Sequence, residues 1–211
     1  MKTDDLIAML AKDAGPIRPF RSVLALSFGA AVVAAAILFF AAIGVRPDFQ
    51  EAMQSGRFLF KFVVTAALAS TALWSVFRLS RPGLARSYPG LLMMLAPTLL
   101  LGAVVVELTR LPEEQWLPSL IGENAMFCLT LIPLLSAGPL ACMLAGLRQG
   151  APSDPGLAGA LAGLVASGIG ASFYAANCTD DSPLFVLAWY PIAASIVTGA
   201  GFLIGRRLLR W

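Results

Sequence analysis

Histidine is absent from the 211-residue sequence, and charged residues make up only 13% of it. The first absence excludes histidine-ligated haem, histidine-containing zinc sites and Ser-His-Asp catalysis. The second excludes an ordinary soluble domain, in which about a quarter of the residues are charged. Hydrophobic residues supply 58% of the chain. The composition therefore indicates an integral membrane protein.

Cysteine is also scarce, with three in the chain. That number is too small for a disulfide-built scaffold but allows one disulfide and one free thiol. The sequence lacks a Walker loop, a dinucleotide fingerprint and a nucleophile elbow. We therefore predict that the protein is not an enzyme, and that its short basic clusters are topology signals or lipid head-group contacts rather than nucleic-acid sites.

Six apolar runs fill most of the chain, and each is close to the roughly 20 residues that a bilayer-spanning helix needs. They predict an all-α membrane protein with six transmembrane helices. The expected organisation is an amphipathic N-terminal segment at 1–21, a helix bundle at 22–205 and a basic tail at 206–211. The six runs are 22–45, 58–78, 88–108, 124–147, 157–176 and 184–205.

Lysine and arginine are distributed unevenly between the two sets of connecting segments. Six crossings place both termini on the same side, and that side holds eleven of the fifteen basic residues. The positive-inside rule makes it cytoplasmic. The eleven residues are Lys2, Lys12, Arg18, Arg21, Arg78, Arg81, Arg86, Arg148, Arg206, Arg207 and Arg210.

The predicted spans contain almost no charge. Lys61 is an exception near one end of the second run, where its amine is expected to extend toward the membrane surface. Ion-coupled transporters usually carry an ionisable residue at mid-membrane, so ion-coupled transport is disfavoured and a channel for a neutral solute stays open. The pairs Gly159/Gly163 and Gly201/Gly205 permit close helix packing, although glycine is also simply frequent in membrane helices.

Two cysteines are predicted to lie near the outer membrane face. Cys178 falls in the loop between the fifth and sixth runs, and Cys128 lies near the outer end of the fourth. Cys142 is 14 residues beyond Cys128 on the same helix, or about 21 Å. A disulfide needs Cα atoms within about 7 Å, so these two cannot pair, and Cys142 is interpreted as a packing residue.

The chemical state of Cys128 and Cys178 is open on sequence alone. They could form an inert structural disulfide, a reversible one, or a two-thiolate site for a soft metal ion. Glu123, Asp180 and Asp181 could then add oxygen ligands. The simpler interpretation of the stretch after Cys178 is that it starts the sixth helix, because Ser182 is a good N-cap and Pro183 suits the first helical position.

The N-terminal segment has an apolar face that includes Leu6, Ile7 and Leu10 at helical spacing. A helix this short is not stable alone in water. It therefore needs a partner, which could be the bilayer surface, the rest of this chain or another protein.

The chain resembles the NrsF family, the negative regulators of sigma-F in proteobacteria. The resemblance covers essentially the whole chain. It is carried by the N-terminal segment 1–11, the six spans, Phe127-Cys128-Leu129, the stretch from Cys178 through Asp180-Asp181-Ser182-Pro183 to Leu184-Phe185, and Trp189-Tyr190.

The resemblance implies a membrane anti-sigma factor. Such proteins hold an extracytoplasmic-function sigma factor at the bacterial inner membrane and release it under heavy-metal or oxidative stress. The family's signal-sensitive cysteines correspond to Cys128 and Cys178, with no resident cofactor beyond a transient soft metal ion. Leu6, Ile7 and Leu10 would then contribute to the sigma-factor surface, and the oligomeric state is not specified. A membrane thiol-disulfide oxidoreductase is a rival that would need a second cysteine pair.

Overall fold

The computed structural model describes residue 3 and residues 19–79, 89–150 and 152–210. In this part of the chain six helices are long and apolar enough to cross a membrane, the third of them counted from Gly90. The predicted multi-pass, all-helical architecture is confirmed, with ends shifted by a few residues. The six are α1 (Phe20–Ala42), α2 (Gly56–Leu79), α3 (Leu95–Arg110), α4 (Ala125–Leu147), α5 (Pro155–Ala175) and α6 (Pro183–Leu208).

Short segments connect these helices. Phe49–Ala52 lies between α1 and α2, Pro89–Met93 leads into α3, and the 3-10 turn Glu113–Gln115 with Trp116–Ile121 joins α3 to α4. The predicted sigma-binding residues Leu6, Ile7 and Leu10 lie outside the described residues, as does nearly all of the 1–21 segment.

Helices α5 and α6 begin with the same local device, a side-chain cap followed by proline. Asp154 Oδ1 accepts a hydrogen bond from the backbone N–H of Leu157 at 2.9 Å, and Ser182 Oγ accepts one from Leu184 at 3.2 Å. Each cap satisfies an N–H group that the first helical turn leaves without a partner. The predicted role of Ser182 and Pro183 at the start of the sixth helix is confirmed.

Helix α5 is the centre of the bundle. Of its most apolar 18 residues 72% are buried, compared with 22–44% in the other five spans. It packs against α1, α2, α4 and α6. Its sequence is rich in glycine and alanine, and these small side chains allow neighbouring backbones to approach closely.

The glycine pairs predicted from spacing form the contact between α5 and α6. A Cβ atom added to Gly159 would collide with the carbonyl oxygen of Gly201 and lie 2.8 Å from the Cα of Gly205. A Cβ atom on Gly163 would lie 2.7 Å from the carbonyl oxygen of Val197. The close packing is therefore confirmed, and it depends on these positions carrying no side chain.

Two buried apolar clusters fill the bundle, one toward each end. One contains Cys128 and Cys178 with Tyr174 and Phe185. The other contains Leu24, Met143, Leu147 and Leu209. We call the two ends of the bundle the Cys178 end and the Arg206 end, after a residue at each.

We expect Gly159→Ala to lower the free energy of unfolding by about 1–3 kcal/mol, because a methyl group there forces two packed helices apart. Gly199→Ala is the matched control. Gly199 lies in α6, but a Cβ atom there meets nothing within 4 Å. Denaturant or thermal unfolding of the purified protein in detergent measures both. Equal losses in the two variants would contradict the close contact.

Candidate functional site

The structure brings Cys128 and Cys178 together, as the sequence predicted. Cys128 lies in the first turn of α4, and Cys178 lies in the loop at 176–182 between α5 and α6, which we call the cysteine loop. Both side chains are buried, with 0% and 2% exposure, in the same apolar cluster. All three cysteines are free thiols. Cys142 is partly buried against the other cluster, as expected for a packing residue.

Burial decides the chemical state of the Cys178 thiol. Removal from water raises its pKa above the ordinary value, and the positive charge of Lys61 opposes part of that shift. The Tyr174 hydroxyl donates its one hydrogen to the backbone carbonyl of Asn124 at 3.2 Å. Because the thiolate is the reactive form, Cys178 at neutral pH is a protonated thiol of low reactivity until its surroundings change.

Burial of Lys61 was not predicted from the sequence. The whole residue is buried, and its amine reaches the cysteine loop rather than solvent. The Nζ atom lies 2.6 Å from Asp181 Oδ1 and donates hydrogen bonds to the carbonyl oxygens of Cys178 at 2.9 Å and Asp180 at 3.4 Å. The cysteine loop supplies all of these partners, so a charge that would be costly if isolated is compensated inside the bundle.

Arg46, between α1 and α2, holds the same loop from a second direction. Its Nη1 donates to Asp181 Oδ2 at 3.0 Å and to the Cys178 carbonyl at 3.3 Å. Its Nε and Nη2 form a two-point contact with Asp48 at 2.6 Å each, which lowers the pKa of that carboxyl. The guanidinium and the Lys61 amine both lie over the Phe58 ring, 5.7 and 5.3 Å from its centroid.

The contribution of Arg46 was not predicted from the sequence. A clue was present, because Arg46 and Lys61 are two of the four basic residues in the segments predicted to face outward. The acidic pair Asp180-Asp181 falls in the same set of segments.

Asp180 connects the cysteine loop to the helix that carries Cys128. Its Oδ2 atom accepts hydrogen bonds from the backbone N–H groups of Glu123 at 3.1 Å and Asn124 at 2.8 Å, and from Asn124 Nδ2 at 2.9 Å. A carboxylate suits this position, since the N-terminus of a helix carries partial positive charge. Asp180 thus caps α4 rather than α6, and the Glu123 side chain remains exposed.

A third helix reaches the loop through Glu107. This residue is buried near the end of α3. Its Oε2 lies 3.0 Å from Arg57 Nη2, and its Oε1 accepts a hydrogen bond from Ser182 Oγ at 3.4 Å. The cysteine loop is therefore held by side chains or backbone from the α1–α2 connection, α2, α3 and the start of α4.

The site offers a soft metal ion two sulfur donors. Within the described residues, no group of three or more Cys, Asp or Glu side chains is placed to hold a metal ion. The carboxylates proposed as extra ligands, those of Asp180 and Asp181, already have other partners. Four-ligand zinc does not fit this donor set. An ion that needs more than two ligands would have to draw Asp180 or Asp181 away from its present contacts.

We expect Lys61→Met to destabilise the protein by about 1.5–3 kcal/mol, because it removes the closest cation from a partly buried carboxylate that still keeps Arg46. The double variant with Asp181→Leu should be less destabilised than Lys61→Met alone. Arg110→Gln is the control, an exposed charge at the same end that has no salt bridge in the described part of the chain. Unfolding in detergent measures these three variants and Asp181→Leu alone, and additive losses in the double variant would contradict direct coupling.

Comparison with known proteins identifies relatives over the full length. A family model described as "NrsF: Negative regulator of sigma F" matches residues 10–211. The chain is 35% identical to a protein of Azospira oryzae named probable anti-sigma-F factor NrsF, and 34% identical to the anti-sigma-F factor NrsF of Caulobacter vibrioides. Both alignments cover 100% of each chain. No solved structure matches. This multi-pass membrane protein, with one buried cysteine in a charged loop and another in the same apolar cluster, belongs to the NrsF family of negative regulators of sigma F.

Proposed function

We propose that the protein is an anti-sigma factor of the bacterial inner membrane that holds an extracytoplasmic-function sigma factor and releases it when Cys128 or Cys178 is modified by a heavy metal or an oxidant. Family membership supports the anti-sigma role. The observation that supports the sensing role is that both free thiols are buried in one apolar cluster, with Cys178 in a loop that charged side chains hold.

The orientation follows from charge. Arg148, Arg206, Arg207 and Arg210 lie at or beyond the helix ends opposite Cys178, and the positive-inside rule assigns such an end to the cytoplasm. The cysteines then lie near the periplasmic face, an oxidising compartment, and the Arg206 end is available to a cytoplasmic sigma factor. The N-terminal residues Leu6, Ile7 and Leu10, together with the 148–156 connection, would provide its binding surface.

The cysteine loop gives a physical route from the thiols to the helices. A metal ion adds volume at the buried Cys178 thiol, and a disulfide pulls its sulfur to bonding distance of another. Either change would displace the loop backbone that carries Cys178. Movement of the Cys178 carbonyl and Asp181 removes partners from Lys61 on α2, and movement of Asp180 removes the cap of α4. A modification at one residue therefore acts on two spanning helices at once.

The energies are of the right order for a switch. Shifting a two-state equilibrium from 1:99 to 99:1 takes about 5.5 kcal/mol. Disturbing a buried ion pair costs about 3–5 kcal/mol, and forming a disulfide is worth about 2–4 kcal/mol. A signal changes sigma-factor release only if the two arrangements bind the sigma factor unequally.

The anti-sigma role is tested by co-purification. Epitope-tagged wild-type protein should retain a sigma factor, and a variant carrying Leu6→Ser, Ile7→Ser and Leu10→Ser should lose at least about tenfold in retained sigma factor, since each buried apolar side chain is worth about 1.5–3 kcal/mol. Asp5→Ala with Lys12→Ala is the control, because helical spacing predicts both on the face opposite Leu6, Ile7 and Leu10. Wild-type protein that never retains a sigma factor would reject the proposal.

The sensing role is tested with Cys178→Ser, Cys128→Ser and Cys142→Ser in cells with a reporter that depends on the sigma factor. We expect the first two to keep the reporter silent under cadmium or chromate, because they remove a sulfur from the buried site. Cys142→Ser should respond like the wild type. An inert structural role predicts lower stability but unchanged induction, so unfolding in detergent is measured alongside.

A further inference from the structure

We propose that the groove between α4 and α6 binds one anionic phospholipid, with an acyl chain along the groove and the phosphate on Arg148. The groove is an open cavity of about 900 Å³ on the side of the bundle. Its place in the fold is separate from the cysteine loop, and the inference does not depend on the sensing role.

The dimensions of the groove suit a lipid chain. Its α4 wall runs from Pro133 to Arg148, a distance of about 22 Å along the helix, against a hydrocarbon thickness of about 30 Å for a bilayer. The volume lies within the range of about 300–1,000 Å³ that is typical of sites for single small molecules. The groove thus extends from mid-membrane to the Arg206 end and is sized for a single slender molecule.

Small side chains shape the floor and make it apolar. Ala137, Ala141 and Ala145 lie at four-residue spacing on α4, and Ala200 faces them from α6. The buried side chains of Leu140, Leu144 and Val197 close the groove toward the core. A row of small residues between larger ones leaves a furrow along the helix surface, which a flexible apolar chain fills without disturbing the packing beneath it.

Positive charge lies at one mouth of the groove. Arg148 and Gln149 line it at the Arg206 end, and Arg148 is exposed and makes no salt bridge with any described residue. Arg207 follows the lining residues Ile204 and Ala200 by three and seven positions, so it lies on the same side of α6. Guanidinium groups bind phosphate oxygens through paired hydrogen bonds.

The combination selects an anionic phospholipid as the occupant. The groove lies along two helices that are long and apolar enough to cross a membrane, so lipid is the molecule expected beside it. A molecule that fits must be apolar along most of its length and negatively charged at the depth of Arg148. A neutral lipid would satisfy the groove but leave the charge at its mouth uncompensated.

Native mass spectrometry of the purified full-length protein, titrated with phosphatidylglycerol or phosphatidylcholine, tests the proposal. We expect tighter binding of phosphatidylglycerol. Arg148→Gln should weaken its binding about fivefold, because one arginine near an anionic lipid contributes about 1 kcal/mol, and it should leave phosphatidylcholine binding unchanged. Arg210→Gln, a basic residue at the same end that does not line the groove, is the matched control.

A second variant tests the groove itself. Ala141→Leu fills the floor from an exposed position and should abolish the tight phosphatidylglycerol site, whereas Ala30→Leu, at an exposed position on α1, should not. Equal binding of both lipids to the wild type, or equal losses in the two arginine variants, would overturn the proposal. A dimer that Ala141→Leu dissociates would instead assign the groove to a second copy of the chain.

Discussion

The buried ion pair between Lys61 and Asp181 is the constraint on which the Cys178 end of the molecule depends. An ammonium group inside an apolar bundle is costly unless carboxylates and carbonyls surround it. The cysteine loop supplies one carboxylate and two carbonyls, so the conformation of the loop and the position of α2 determine each other. Cys178 provides one of those carbonyls, and its side chain therefore has little freedom to move independently.

The central helix makes this constraint reach further. α5 leads directly into the cysteine loop, and its glycine and alanine residues hold α1, α2, α4 and α6 at short range. A closely packed interior does not deform continuously, and it changes by moving whole elements between alternative arrangements. A displaced loop would accordingly be absorbed by rigid shifts of helices rather than by local compression.

Hydropathy predicted the six spans because the bilayer requirement acts on one continuous stretch at a time. Counting membrane crossings predicted that Cys128 and Cys178 lie near the same membrane face, because an even or odd number of crossings decides the side on which a loop lies. The surroundings of Lys61 did not follow, because Asp181 is 120 positions away and only packing brings the two together. The cap that Asp180 provides for α4 could not be predicted for the same reason, because Asn124, which donates the hydrogen bond to Asp180, lies 56 positions earlier.

Basic residues at the two ends of the bundle differ in how far they are paired with acidic residues, and this difference bears on the topology. Three of the four basic residues at the Cys178 end, Arg46, Arg57 and Lys61, are paired with Asp48, Glu107 and Asp181. Paired cations contribute little net field at the membrane surface. The contrast in effective charge between the ends is therefore larger than the count of basic residues suggests. At one end charge is paired within the protein and holds the cysteine loop, and at the other end Arg148, Arg206, Arg207 and Arg210 are exposed.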